Sequence, residues 1–190
     1  MTVTIKDGLF TFGSIETSQV PPALTVAASG DIGATNDSTQ KAPLGVLYRH
    51  KGNVYRYVLM NTGASAVASA AGAVVHWFSL DPANGLFTVV TDKTDAGGTS
   101  VDGKNLIAGI ALGVVTNGYY TWIQVGGVAM AYVADSTVAG DICVYGDTDL
   151  YFARIAADAA VTALPFGVAL EAKSGTTTSK AYTLLHNMIF

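Results

Sequence analysis

The sequence predicts an all-β domain, a barrel-like or sandwich arrangement built from hairpins with an extended N-terminal arm. Three observations carry this. Helical periodicity is almost absent from the 190 residues; runs rich in Val, Ile, Tyr, Phe and Thr, bounded by Gly, Asn and Asp, recur in its place. Those runs return at a nearly constant offset. Charge is scarce: 13% of residues are charged and 50% hydrophobic, with a mean hydropathy of +0.39. Average soluble domains carry roughly 25% charged residues. A surface so poor in charge is suited to being covered by other subunits.

Residues 1–43 read differently from the rest. Val20-Pro21-Pro22 loses two backbone donors in succession, and Pro22 biases its predecessor towards extended backbone. Ser29-Gly30-Asp31 and Asn36-Asp37-Ser38-Thr39 read as loops. This region is expected to be an extended arm, or a loop-rich edge of the same domain, with one or two short strands. Residues 44–190 are expected to form the β domain.

From Leu44 onward the chain resembles itself. Gly45-Val46, a turn at Lys51-Gly52-Asn53, Tyr55-Arg56-Tyr57-Val58 and Ala71-Gly72-Ala73-Val74 form one unit. Gly109-Ile110-Ala111, a turn at Asn117-Gly118, Tyr120-Thr121-Trp122-Ile123 and Val138-Ala139-Gly140-Asp141 form the next. The offsets are 109 − 45 = 64, 120 − 55 = 65 and 140 − 72 = 68. A partial third unit follows as Phe166-Gly167-Val168-Ala169-Leu170 and Ala181-Tyr182-Thr183-Leu184-Leu185. Such a repeat suits hairpins that cover one another's edges.

Asn117-Gly118 predicts a tight type I′ hairpin, since both residues tolerate positive φ. In the following strand Tyr120, Trp122 and Gln124 share one face, and Thr121, Ile123 and Val125 the other. One face should pack the core and the other should meet a second sheet or a neighbouring subunit. Tyr55, Tyr57, Tyr120, Trp122 and the terminal Phe190 are the candidate subunit-interface residues, because aromatic side chains suit half-buried contacts. Residues 156–163, Ala-rich, suit a helix of two turns at most or a loop leading to a strand.

Several functions are disfavoured. The net charge is −4 and the ten basic residues are scattered, so direct nucleic-acid binding is not expected. Residues 105–134 carry no charge and 61–80 only His76, but both are broken by Gly, Ser, Thr or Asn, so neither is expected to span a membrane. Met1 is followed by polar Thr2, Thr4, Lys6 and Asp7, and Cys143 is the single cysteine, which together predict cytoplasmic synthesis without a disulfide.

No constellation of catalytic residues emerges. Gly98-Thr99-Ser100-Val101-Asp102-Gly103-Lys104 matches the start of a phosphate-binding loop, but Asn105 stands where a magnesium-binding hydroxyl belongs and a β-like run replaces the required helix. With Asp92, Lys93, Asp95 and Asp102, this stretch reads as a solvated loop. His50, His76 and His186 lack metal-ligand spacing; His50 reads as a hairpin tip and His76 as a strand residue. Cys143 lies in an apolar strand, where thiols are inert. Asp147 and Asp149 supply too few oxygens for calcium. The chain is expected to be no enzyme and to hold no cofactor or metal.

The segment from Gly109-Ile110-Ala111-Leu112-Gly113 through Asn117-Gly118 to Tyr120-Thr121-Trp122-Ile123-Gln124 resembles a recurrent segment of tailed-phage capsid proteins. Ala139-Gly140-Asp141-Ile142, Phe166-Gly167-Val168-Ala169-Leu170 and Tyr182-Thr183-Leu184-Leu185 resemble the decoration, or cement, proteins of tailed-bacteriophage heads. The resemblance implies a β-tulip-like domain in a homotrimer, bound to the major capsid protein on the outer surface of the virion. It would bridge coat subunits and stiffen the shell. The alternative from another class is a carbohydrate-binding or host-attachment β-sandwich, with Tyr119, Tyr120 and Trp122 as a stacking platform. An aromatic shelf open to solvent would favour sugar; aromatics buried within a trimer would favour cement.

Overall fold

The computed structural model describes residues 25–26, 32–79, 87–95, 106–134, 136–145, 149–156, 159–160, 165–173 and 180–185. They form an all-β domain built mainly of strands in a mixed sheet. Two short strands, β1 (Thr25–Val26) and β2 (Ile32–Gly33), pair antiparallel with each other. The others share one 10-stranded sheet. They are β3 (Leu47–His50), β4 (Asn53–Asn61), β5 (Val74–Ser79), β6 (Thr88–Val90), β7 (Ile107–Ala111), β8 (Tyr120–Tyr132), β9 (Ile142–Tyr145), β10 (Phe152–Ile155), β11 (Gly167–Ala169) and β12 (Lys180–Leu185).

The self-similarity of the sequence reappears in the pairings. β3–β4, β7–β8 and β11–β12 are antiparallel neighbours. β4 also pairs with β8, and β8 with β12. β5 pairs with β7, and β9 with β11. β6 joins β5 antiparallel and β4 parallel; β10 joins β9 antiparallel and meets β8 through a parallel bridge, Val133–Phe152. The same plan is thus run twice and begun a third time. In the first round the pairings lead from β8 through β7, β5, β6 and β4 back to β8. In the second they lead from β8 through β12, β11, β9 and β10 and return to β8 at the bridge.

Matching glycines mark matching joints. Gly72 (φ +92°) and Gly140 (φ +94°) occupy left-handed backbone in the turns before β5 and β9. The Gly72 N–H donates to Ala111 O at 2.9 Å, and the Gly140 N–H to Ala169 O at 2.8 Å. Each joint therefore ties to the last residue of the next unit's first strand.

The turn at Lys51-Gly52 takes the expected hairpin form, with φ of +46° and +84° between the paired residues His50 and Asn53. The tight type I′ hairpin expected at Asn117-Gly118 is corrected. Gly118 has φ +77°, whereas Asn117 is not among the positive-φ residues. With Tyr119 N bonded to Thr116 O at 3.1 Å, this is the pattern of a type II turn. It lies within the longer β7–β8 connection, residues 112–119, and docks on the end of β4. The Asn117 Oδ1 accepts from Thr62 N at 3.2 Å and Gly118 N donates to Met60 O at 2.8 Å. Those tertiary bonds favour a turn that leaves Asn117 in ordinary backbone.

Along β8, Ile123 and Val125 enter one core with Val58, Met60, Val75, Trp77 and Val89. Past a register shift at Gly126, the opposite face of the strand turns inward, and Ala129, Ala131 and Val133 enter a second core with Cys143, Phe152, Phe166, Ala181 and Leu185. Val74, Ile107 and Ile110 of the first round wall that second core. Of the expected split of the β8 faces, the core half holds, since the Ile123 face packs the core, whereas the Trp122 face meets this chain's own residues 36–46.

The reading of residues 92–95 as a solvated loop is corrected for its described part. Asp92 is buried. Its Oδ1 accepts from Thr94 N at 2.9 Å and its Oδ2 from Ser65 N at 3.1 Å, while Asp95 accepts from Ala64 N. These carboxylates pin the turn at residues 63–66 to the end of β6. Residues 98–104 and 147, His186 and Phe190 lie outside the described residues, as do 157–158 and 161–164 of the expected short helix. At its start, Ala159 N donates to Ala156 O at 2.9 Å, a single turn.

Candidate functional site

β4 and β8 run antiparallel with Tyr57 opposite Trp122, Leu59 opposite Tyr120 and Tyr55 opposite Gln124. Alternation puts Tyr55, Tyr57, Tyr120 and Trp122 on the face turned away from the core. Four of the five interface candidates are thereby brought together. The Tyr57 and Trp122 rings lie 5.2 Å apart and tilted, and Tyr57 stacks on Tyr120 at 6.1 Å. Tyr48 of β3 meets the Trp122 ring edge-on at 6.2 Å. Contacts of this geometry add about 0.5–1.5 kcal/mol each beyond burial.

The chain covers this cluster itself. Residues 36–46 cross over it as an extended strap. Gly45 N donates to Tyr57 O at 2.8 Å, and Tyr57 N to Val46 O at 3.1 Å. Asp37 and Tyr120 exchange backbone bonds at 3.1 and 2.9 Å, and Lys41 N donates to the Tyr57 hydroxyl at 3.1 Å. The Asn36 amide anchors the strap, accepting from Thr116 N at 2.9 Å and donating to Thr116 Oγ1 at 3.1 Å. Ala42 and Leu44 supply its apolar contacts. Burial, with Asp37 nearby, raises the Tyr57 phenol above its ordinary value.

The outcome for the candidates is specific. Tyr57 and Trp122 are 0% and 1% exposed and Tyr55 is buried, all within a single chain. Tyr120 is half-buried under the strap. What this place presents outward is the strap. Tyr119 is also half-buried, so Tyr119, Tyr120 and Trp122 do not form an open stacking shelf.

Two buried polar groups went unread in the sequence. Arg56 shares the inner face of β4 with Val54, Val58 and Met60, and its guanidinium lies 5.5 Å from the ring centres of both Trp77 and Phe87. Burial lowers its pKa, and the aromatic faces offset part of that cost. The alternation of Val54, Val58 and Met60 was the available signal, since a residue midway in that series shares their face. His76 of β5 is buried, with neither ring nitrogen hydrogen-bonded, edge-on to Tyr145 at 5.2 Å. Burial, reinforced by the charge of Lys93, pulls its pKa down to about 4. It is a strand residue, as expected, but one held neutral in the interior.

Cys143 lies buried on β9, and burial pushes its thiol up to about 11. A thiol so protonated is a poor nucleophile. Asp149 accepts from Lys93 N at 2.8 Å, which engages it in the fold. Among the described residues no group of His, Cys, Asp and Glu is arranged to hold a metal ion, and no helix is long and apolar enough to cross a membrane.

Among the exposed large apolar residues, Val46, Leu47 and Val114 lie in the first round, and the others lie on the second half of β8 and beyond. Val128 pairs with Leu184, Leu184 with Val168 and Val168 with Ile142. In the next row Met130 pairs with Tyr182, whose carbonyl accepts from Leu170 N at 2.7 Å. A register shift at Gly126 separates this face from the one that the strap seals further back. No protein-family model matches the chain, and no curated protein matches it.

Proposed function

We propose that this chain is a structural virion protein that binds the outside of a phage capsid and stabilises it by bridging coat subunits. The carrying observation is the low charge, 13% of residues, in a chain with 50% hydrophobic residues. A surface of that kind is suited to symmetric burial. The resemblance of Ala139-Gly140-Asp141-Ile142 and Phe166-Gly167-Val168-Ala169-Leu170 to decoration-protein segments supplies the phage context.

In this reading the two rounds of pairing are adjoining barrel-like units fused through β8. Residues 1–43 form an arm whose end is the strap. The oligomer is a homotrimer, its partner is the major capsid protein, and it lies on the outer capsid surface. Its mechanism is additive: modest contacts, repeated by symmetry, sum to a strong clamp with no chemical step.

The test is co-sedimentation of the purified protein with expanded phage heads that lack decoration, followed by imaging. Saturable binding at symmetry-related positions, with heads more resistant to heat, is the expected result. A protein that stays in the supernatant at micromolar concentration, with heads of unchanged stability, would refute the reading.

A further inference from the structure

The bare apolar face of the second round is as specific a feature as the sealed face of the first. Val128, Met130, Leu170, Tyr182 and Leu184 are 42–47% exposed and lie in two adjacent rows across β8, β12 and the end of β11. Together they offer roughly 400 Å² of apolar surface, in the range of the largest patch on a typical monomer. None of these five side chains is charged. An ion pair bounds the patch beyond Leu170, where Lys173 Nζ lies 3.4 Å from Glu171 Oε1, and that carboxylate also accepts from Tyr182 N at 3.1 Å. An apolar centre with a polar rim is the anatomy of a protein interface.

The tandem plan provides an internal comparison. β4–β8 in the first round corresponds to β8–β12 in the second, and the outer face of the first pair is closed by this chain's own residues 36–46. The corresponding face of the second pair has no such cover from the described residues.

We infer that this face packs against the same face of other copies of this chain, the faces meeting about the symmetry axis of the homo-oligomer. Three features favour a copy over a different partner. A patch without charge meets itself without repulsion, whereas electrostatic choice of a foreign partner needs complementary charges. Homo-oligomer interfaces are also the more apolar class. Finally, the patch from two copies buries about 800 Å², which its polar rim extends towards the roughly 1,000 Å² at which a specific interface begins. The inference rests on the reading of the chain as an assembly component and names the surface through which it assembles.

The test uses the full chain without capsids, so its outcome is separate from capsid binding. Light scattering coupled to size exclusion, with sedimentation equilibrium, gives the mass of wild type and of a Met130→Glu, Leu184→Glu variant. Wild type is expected to be oligomeric and the variant monomeric, with self-association weakened about 100-fold or more by two charges buried without partners. Circular dichroism checks that the variant is folded. If it is not, Tyr182→Cys with a short bis-maleimide replaces it: a cross-linked dimer supports the inference, and its absence at saturating reagent overturns it. A monomeric wild type at 100-fold dilution series from millimolar down, or a folded charge variant of unchanged mass, also overturns it. An oligomer that persists in that variant points to another face, and capsid binding by a monomer would leave the proposed function standing while removing this inference.

Discussion

The two halves of β8 share one backbone, but a register shift at Gly126 turns opposite faces of the strand inward, and the faces left outside differ. From Tyr120 to Gln124 the outer face is aromatic and lies beneath a strap bonded to it by Asp37, Lys41, Gly45 and Val46. From Val128 to Met130 it is aliphatic and open. Gly126 and Gly127 separate the halves, and Gly127 takes φ +86° where a Cβ would collide with Asn53. Asn53 also accepts from Val128 N at 3.1 Å through its side chain, so β4 ends where the second half begins. The difference teaches that aromatic strand residues do not by themselves mark an interface. Large rings with polar tips are well served by burial under the same chain; on β8 the exposed remainder is aliphatic, beside the half-exposed Tyr182 of β12.

The widest gap between the halves should appear on truncation. Trp122→Ala removes a fully buried ring that touches Tyr57 and Tyr48, and is expected to cost about 3–5 kcal/mol in urea unfolding. Arg56→Ala, beneath the opposite face, belongs to the same class, at about 2–4 kcal/mol, because it leaves Trp77 and Phe87 without their shared cation. A Trp122→Ala cost below about 1 kcal/mol would mean that the strap does not seal the cluster and would erase the comparison.

His76 tests whether the wall between the two rounds is dry. Its pKa falls from an ordinary value of 6.5 to about 4 in the folded chain. The unfolded chain therefore takes up the proton first as pH falls, so stability is full above about 6.5 and is lost progressively down to about 4. A shift of that size corresponds to about 3 kcal/mol. His76→Phe should remove this part of the pH dependence while leaving the carboxylate-dependent loss at lower pH, to which Asp92 contributes. Burial acts to raise the Asp92 pKa, but its bonds from Thr94 and Ser65 prevail and lower it. Identical wild-type and variant profiles between pH 6.5 and 4 would show water reaching the imidazole.

The strap itself depends on one backbone position. Gly45 has φ +81°, and a Cβ there would fall within the Phe87 ring. Gly45→Val is expected to cost about 2–3 kcal/mol and to expose Tyr57, read as increased quenching of tryptophan and tyrosine fluorescence by acrylamide. A variant as stable as wild type would show that the strap tolerates other paths.

The antiparallel strand pairs were legible where their signals are local, but the turn at Asn117-Gly118 was not, because bonds to the end of β4 set its form. Lys51-Gly52 carries its turn chemistry in adjacent residues, and Gly45-Val46, Gly109-Ile110-Ala111 and Gly167-Val168-Ala169 repeat a pattern that the pairing reproduces. The parallel contacts β4–β6 and β8–β10 were not legible, since they join residues far apart in sequence with no turn between them. Neither was the strap: residues 36–46 have no apolar period, and what holds them is largely backbone hydrogen bonding to Tyr57 and Tyr120. Strand parity did put Tyr120 and Trp122 together on one face, without telling which face packs the core. It carried no information about what would cover their face, which is why the interface candidates and the exposed residues turned out to be different sets.

The smallest expected effect is the most discriminating for the open half. Met130 is 46% exposed, so Met130→Gln should change the stability of the isolated chain by no more than about 0.5 kcal/mol. Self-association through this face alters that in a predictable way. Copies that bind each other stabilise the folded state by mass action, so the wild-type midpoint should rise with protein concentration. Met130→Gln, which puts an amide into the shared apolar centre, should flatten that rise. Thermal scans over a thousandfold concentration range would then show the two proteins converging at the dilute end and separating at the concentrated end. Parallel curves with a constant offset would assign Met130 an ordinary packing role within one chain, and the open half of β8 would then be no more an interface than the sealed one.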